Sequence, residues 1–184
     1  TILDFGCGTG KFIKKIAPLV NFYWAIDVSE NQLKIAKKKA RNYRNVKLIR
    51  NPIDKIPIGS NSIDVIFAVW VVGSIHNLKL RKKIIKELKR VVKRTGMIYV
   101  IENDTGGEYK EIIEGKHGEE KTKTKLKWLE NNGFKKIKSF RTYFKFKSME
   151  SAREVFKIIW GNEIASKINK NNISHYIVIY KNEE

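Results

Sequence analysis

The feature that most constrains this chain lies at its start. An apolar run, Ile2-Leu3-Asp4-Phe5, meets three alternating glycines in Gly6-Cys7-Gly8-Thr9-Gly10, and a lysine-led amphipathic stretch follows. Glycines in alternation let the backbone turn sharply and approach a neighbour closely. Between a strand and a helix, such a turn aims the N–H groups of the helix start at whatever lies beside it. In an open parallel sheet that place is the crevice at the carboxyl ends of the strands. The opening residues therefore point to an α/β sheet with a nucleotide-like ligand at its edge.

The rest of the chain repeats the strand–helix alternation. Residues 22–26 read as a second strand ending at Asp27, and Ser29 can cap a helix reaching Arg41. Residues 46–50 read as the third strand. Pro52, Pro57 and Gly59-Ser60-Asn61-Ser62 mark a turn-rich connection. Residues 63–69 are nearly all apolar, as a central parallel strand covered on both faces requires. A helix is expected over 78–92, closed by Gly96, with a fifth strand over 97–101. This order predicts a three-layer α/β fold around a mostly parallel sheet.

Residues 103–125 read as a mobile loop with one short helix, and a helix over 124–131 stops at Gly133. Residues 134–146 and 173–180 are expected to close the sheet as an antiparallel pair. Between them, residues 149–169 form a helical insert of two short helices around Trp160-Gly161. The length suits a single domain over residues 1–184.

Composition narrows the class. An apolar fraction of 42% suits a folded domain. The longest apolar stretch, 63–75, is interrupted by Asp64, Gly73 and Ser74 and is too short to span a bilayer. No export signal is visible, so a cytoplasmic setting is expected. The chain begins at Thr1, which leaves room for preceding residues. Cys7 is the single cysteine, which excludes an internal disulfide and a cysteine-cluster metal site. No metal is expected.

The net charge is +19. A nucleic-acid partner is one reading, because basic surfaces gain affinity by releasing counterions from phosphates. Yet only eight of the basic residues are arginine, the side chain suited to bidentate phosphate recognition. Lysine abounds together with isoleucine and asparagine, the pattern of a general compositional bias. Composition alone does not favour nucleic acid.

The loop's spacing selects among ligands. A dinucleotide site calls for G-x-G-x-x-G, whereas here Lys11 stands where the third glycine belongs. Asp4 precedes the first glycine by two places, where a carboxylate would repel a phosphate and attract a cation. S-adenosylmethionine offers an ammonium, a sulfonium and a carboxylate at one end. The glycine N–H groups suit its carboxylate, and Asp4 suits its ammonium through water or a backbone group.

Residues 2–11 resemble motif I of the class I S-adenosylmethionine-dependent methyltransferases. The likeness extends downstream. Asp27 stands where that family places its ribose-binding acid, which puts Val28 against the adenine. Lys55-Ile56-Pro57-Ile58 through Ser62-Ile63-Asp64-Val65-Ile66 resembles the "LPF…FDVV" stretch of the type 11 group. Arg94-Thr95-Gly96-Met97-Ile98 is similar to the "kpGG" entry to strand five. The resemblance implies a Rossmann-like fold of seven strands with an antiparallel last strand and a helical insert before it. It also implies a cofactor site of Asp4, Gly6, Cys7, Gly8, Thr9, Gly10, Asp27, Val28, Pro52, Ile53 and Val69. The chain departs from the family after strand three. There an aspartate usually pairs with adenine, and here Pro52 stands, between Asn51 and Ile53.

Methyl transfer displaces a sulfide in line from an already activated carbon, so alignment can supply much of the rate. A base is needed only where the acceptor must lose a proton. His76, Tyr109 and His117 are the weak candidates, with a solvated loop histidine as the plain alternative for His76 and His117. Trp70, Glu102 and Asp104 also lie where the sheet ends. Trp24, Trp128 and Trp160 are expected in the core. The N-P-P-Y type motif of amino-methylating nucleic-acid enzymes is missing after strand four, where Val69-Trp70-Val71-Val72 stands. The resemblance therefore implies transfer to a small molecule or a protein. RNA methylation, or a non-catalytic cofactor- or RNA-binding protein of the same fold, is the alternative.

Overall fold

The computed structural model describes residues 1–114 and 118–183. Seven strands form one sheet: β1 (Ile2–Phe5), β2 (Tyr23–Asp27), β3 (Val46–Arg50), β4 (Ile63–Val69), β5 (Val92–Asn103), β6 (Phe134–Lys145) and β7 (Asn172–Asn182). Their order is β3-β2-β1-β4-β5-β7-β6, with six strands parallel and β7 antiparallel. This is the fold expected from the sequence. Strand order reverses between β1 and β4, so the loops leaving these two strands diverge and open a crevice.

The chain divides into two compact units, one of residues 1–102 and 181–184, the other of residues 103–180. In the first, β1 is buried along its length, because a central parallel strand has a layer on each face. Asp4 aligns with Ala25 of β2 and Phe67 of β4. Ile13, Ala17, Tyr23, Ala25 and Ala36 pack together on one side of the sheet.

The helix expected over 11–19 is a single turn, α1 (Ile13–Ile16), followed by a 3-10 turn (Ala17–Leu19). Pro18 explains the break: it has no N–H to return to the carbonyl of Lys14 and its ring crowds that group. The Tyr43 hydroxyl donates to that carbonyl instead, at 3.5 Å. α2 (Glu30–Ala40) begins where Ser29 accepts from the Gln32 N–H, as a capping serine should.

α3 (Leu78–Val91) passes directly into β5, and this corrects the reading of Gly96 as a helix stop. Gly96 lies inside the strand at an irregularity in the β4–β5 register. A Cβ there would stand 2.8 Å from the Asp64 carbonyl and 3.0 Å from that of Ile63. The glycine is demanded by a neighbouring strand.

In the second unit, the stretch expected to be mostly loop carries two helices, α4 (Glu108–Glu114) and α5 (Gly118–Glu130). Leu126 and Leu129 supply buried positions of α5, and the Lys110 ammonium donates to the Thr122 hydroxyl at 2.7 Å to link the pair. The insert is α6 (Met149–Trp160) and α7 (Asn162–Ser166), joined at Gly161 as expected. Ala152, Phe156, Ala165, Ile168 and Ile173 form this unit's core, with Tyr109 and Trp160 packed against it. Trp24, Trp128 and Trp160 are only half-buried, so they edge the cores rather than fill them. Among the described residues, no helix is long and apolar enough to cross a membrane.

Candidate functional site

The site is built at the carboxyl ends of β1, β2 and β4. β1 hands over to the glycine loop through two bonds: the N–H groups of Gly6 and Cys7 both donate to the Ile26 carbonyl, at 2.8 and 3.0 Å. The loop then curls back, with the Gly10 N–H donating to the Cys7 carbonyl at 2.9 Å. Gly6, Gly8 and Gly10 all have positive φ, at 73°, 54° and 68°. That region costs an L-residue with a Cβ about 1–2 kcal/mol.

Two glycines are further fixed by close packing. A Cβ on Gly6 would lie 2.3 Å from Val71 Cγ2, and one on Gly10 would lie 2.5 Å from Ile13 Cδ1 and 3.2 Å from the Ala36 backbone. Here the close approach inferred from the spacing is made to the protein's own β4 exit and α2. Gly8 differs, since its Cβ would meet only the amide end of Gln32.

Asp27, the last residue of β2, ties the loop in place. Its Oδ2 accepts from the Gly8 N–H and its Oδ1 from the Ser29 N–H, both at 2.8 Å. Each oxygen keeps a second lone pair for a further donor. The Asn51 N–H donates to the Asp27 carbonyl at 3.1 Å, so the β3 exit is anchored to the same residue. Val28, the next residue, is half exposed beside it.

Asp4 lies beneath the loop and is only 2% exposed. The Tyr23 hydroxyl donates to its Oδ2 at 2.6 Å. Burial pushes the Asp4 carboxyl up to about 7, the Tyr23 bond pulls the other way, and the charge of Asp27 raises it further. Tyr23 itself is pushed upward, by burial first and then by Asp4. The sequence reading did not identify Tyr23. Its only signal was its place on the strand next to β1.

The raised Asp4 carboxyl gives a pH signature. In the unfolded chain the group ionises near its ordinary value of 3.8, whereas in the folded chain it stays protonated to about 7. The folded state therefore binds the extra proton in this window. Its contribution to stability is complete below the lower value and is lost as pH rises through the upper one. Asp4→Asn should lose less melting temperature than the parent between pH 5 and pH 8, as followed by thermal unfolding. Equal losses would contradict the assignment.

Cys7 is buried, and burial first, then the charges of Asp4 and Asp27, push its thiol upward. A thiol in that state is a poor nucleophile. The loop needs a small side chain there and nothing more.

The β4 exit forms the other wall. Val69 ends β4, and the Trp70 N–H donates to the Ile101 carbonyl at 2.9 Å. Trp70 has a positive φ of 58°, an unusual setting for a bulky residue, and is 38% exposed. Lys11 Nζ sits 5.6 Å from its ring centroid. A 3-10 turn (Val72–Ser74) follows, held by Glu102, whose Oε1 accepts from the Gly73 N–H at 2.8 Å. Buried Arg81 holds the end of this segment through the Ile75 carbonyl, accepting Nε at 2.9 Å, and faces the charge of Glu102. Glu102 and Arg81 are thus positioning groups. Sequence had offered Glu102 only as a residue where the sheet ends.

Of the other candidates, His76 is exposed just before α3. Asp104 is occupied in the second unit, accepting from Ser139 at 2.5 Å and Lys136 at 3.0 Å. Tyr109 packs within that unit between Phe144, at 5.1 Å between ring centroids, and Trp160, at 5.7 Å. His117 lies outside the described residues. Of the residues expected to flank the base, Pro52 is exposed and Ile53 half-buried. Asn51 donates to the carbonyls of Pro52, at 2.6 Å, and of Lys55, which holds its own turn. Glu87 accepts from the Ile56 N–H at 2.9 Å, and Arg90 donates to the Ile56 and Ile58 carbonyls, clamping this loop to α3.

These donors and acceptors suit a cationic nucleoside rather than a phosphate. Asp4 and Asp27 take their hydrogen bonds from neutral donors, a hydroxyl and two backbone amides. Among the described residues neither is bonded to a cation, so Asp27, and Asp4 once it ionises above about pH 7, can present negative charge to a ligand. A ligand carrying an ammonium, a sulfonium and one carboxylate matches that field, and a diphosphate does not. Asp27's remaining lone pairs suit vicinal hydroxyls.

The family model described as a methyltransferase domain matches residues 3–100, more than half of the chain. A curated relative, the demethylmenaquinone methyltransferase of Staphylococcus aureus (strain MRSA252), is 32% identical over 103 residues, covering 54% of this chain and 42% of that protein. The match thus spans less than half of that relative's length. Among solved structures, a SAM-dependent methyltransferase from Aquifex aeolicus superposes with a TM-score of 0.61 at 19% identity, covering 97% of this chain and 80% of that one. One from Methanosarcina mazei gives 0.64 at 18% identity, covering 98% and 91%. At such identities the structures speak for the fold alone. The chain belongs to the methyltransferase-domain family and has the fold of the class I S-adenosylmethionine-dependent methyltransferases.

Proposed function

We propose that this protein is an S-adenosylmethionine-dependent methyltransferase acting on a small molecule or a protein. The observation that carries the reading is Asp27, which braces the glycine loop with one lone pair on each oxygen and leaves the others for two ribose hydroxyls. When bound, S-adenosylmethionine would supply an electrophilic methyl group on a positively charged sulfur. Gly6, Cys7, Gly8, Thr9 and Gly10 would frame its amino-acid end. Asp4 sits below as a negative charge above pH 7. Val28, Pro52 and Ile53 would flank the base, and Val69 would close the site from β4. The chain's own work is alignment and exclusion of water. Trp70, Lys11 and the 3-10 turn held by Glu102 would set the position of the acceptor.

The Staphylococcus aureus relative is named for methylation of demethylmenaquinone, a small molecule. This supports the small-molecule side of the proposal. The test is a transfer screen with methyl-labelled cofactor against cell extract, fractionated into metabolites, protein and RNA. Label is expected among metabolites or protein. Label in RNA alone would overturn the acceptor class. No transfer to any fraction, by protein that binds the cofactor, would mark a non-catalytic member.

A further inference from the structure

Lysine is abundant throughout the chain, but on one helix its placement is electrostatically unfavourable. α3 buries Arg81, Ile84, Ile85, Leu88 and Val91 along one side. At about 100° per residue, Lys79, Lys82, Lys83 and Lys86 fall on the opposite side, and all four are exposed. Lys79, Lys82 and Lys86 stand three and four residues apart, so each repels the next. The first turn holds no acidic residue, and Lys79 there opposes the helix dipole. The helix's one glutamate, Glu87, is engaged by Arg90 and the Ile56 N–H. None of these four lysines makes an ion pair among the described residues.

α2 is the internal contrast. It carries Glu30 in its first turn, Lys37, Lys38 and Lys39 in its last, and an ion pair between Lys34 and Glu30 at 3.3 Å. Its last-turn lysines suit the dipole of their helix, and Lys34 has an acidic partner. A compositional bias accounts for lysines of that kind, but not for a row that works against its own helix and its own neighbours.

We propose that this face of α3 docks on the phosphate backbone of a nucleic acid. The row from Lys79 to Lys86 runs about 10 Å along the helix. Over that distance one strand of a duplex offers a phosphate about every 3.4 Å. Lysine in place of arginine suits contacts to phosphate that read no sequence. A lipid surface is the less fitting partner. Helices that lie on membranes insert an apolar face, whereas α3 buries its own, and only Leu78 at its start is an exposed apolar residue. The docking face requires neither the cofactor nor any particular acceptor, so it stands apart from the methyltransferase reading.

The test is fluorescence anisotropy of a short RNA duplex, and of a DNA duplex of the same sequence, titrated with the protein across salt concentrations. Both duplexes should bind, with affinity falling steeply as salt rises. K79Q/K82Q/K86Q should flatten the slope of log affinity against log salt by about 2.7, at about 0.9 per phosphate contact. A fourfold rise in salt should then weaken the parent about 40-fold more than the variant. K34Q/K37Q/K38Q on α2 removes the same charge and should keep the parent's slope. The α3 variant should melt no lower than the parent, because it loses like-charge repulsion. Equal slopes for the two triple variants would overturn the proposal in favour of diffuse net charge. So would absence of duplex binding together with lysine-dependent capture by phosphatidylglycerol vesicles.

Discussion

Replacing Asp27 by alanine is expected to weaken binding of S-adenosylmethionine, and of its demethylated product, at least about 100-fold. Two effects act together. The ribose loses a carboxylate, and charge-assisted hydrogen bonds are worth about 1.5–3 kcal/mol each, with about 1.4 kcal/mol to a factor of ten. The loop loses its brace as well, because the N–H groups of Gly8 and Ser29 both end on this side chain. Asp27→Asn separates the two. Its amide oxygen can still accept from one backbone N–H, but its NH2 then faces the other donor, and the charge is gone. Asn should therefore recover melting temperature relative to Ala without recovering affinity. Calorimetric titration of the three proteins is the measurement. Unchanged affinity in Asp27→Ala would remove Asp27 from the cofactor site.

Gly6→Ala is expected to be the most destabilising small substitution in the loop. The added Cβ would sit 2.3 Å from Val71 Cγ2, in a backbone conformation with φ of 73°. The φ alone costs an alanine about 1–2 kcal/mol, and overpacking adds about 1–3 kcal/mol. Val71 cannot simply swing aside, since a β-branched side chain is stiff at χ1. At roughly 2–4 °C per kcal/mol for a chain of this size, melting should fall by roughly 4–20 °C. A double-mutant cycle divides the two causes. In a Val71→Ala background the steric part is relieved and the backbone part is not, so Gly6→Ala should cost less there but still cost something. Strict additivity of the two substitutions would show that Val71 is not what the glycine avoids.

Much of the architecture was legible because its signals are local. The apolar run of β4, the cap at Ser29 and the stop at Gly133 can each be read within a few residues, and all three stand in the structure. The strand–glycine–helix order at the start points to the carboxyl ends of the strands as the place for a ligand. What was not legible depends on contacts distant in sequence. Gly96 looks like a helix stop until β4 lies beside it and its carbonyls leave no room for a Cβ. Tyr23 is an ordinary strand tyrosine until the β1–β2 register sets its hydroxyl on Asp4. Glu102 holds the β4 exit from 29 residues beyond the Gly73 N–H that it accepts. Pro18 is the exception, a local breaker whose effect on the helix over 11–19 the periodicity obscured.

The same distinction applies within the glycine loop. Its spacing favours a methyl-donor site over a dinucleotide site, and the bonds of Asp4 and Asp27 to neutral donors are the physical argument for that proposal. The most direct measurement is isothermal calorimetry of the purified protein with S-adenosylhomocysteine and with NAD, under the same conditions. Binding of S-adenosylhomocysteine in the micromolar range or tighter, with none of NAD, is the predicted result. Preferential binding of NAD would contradict the account at its centre.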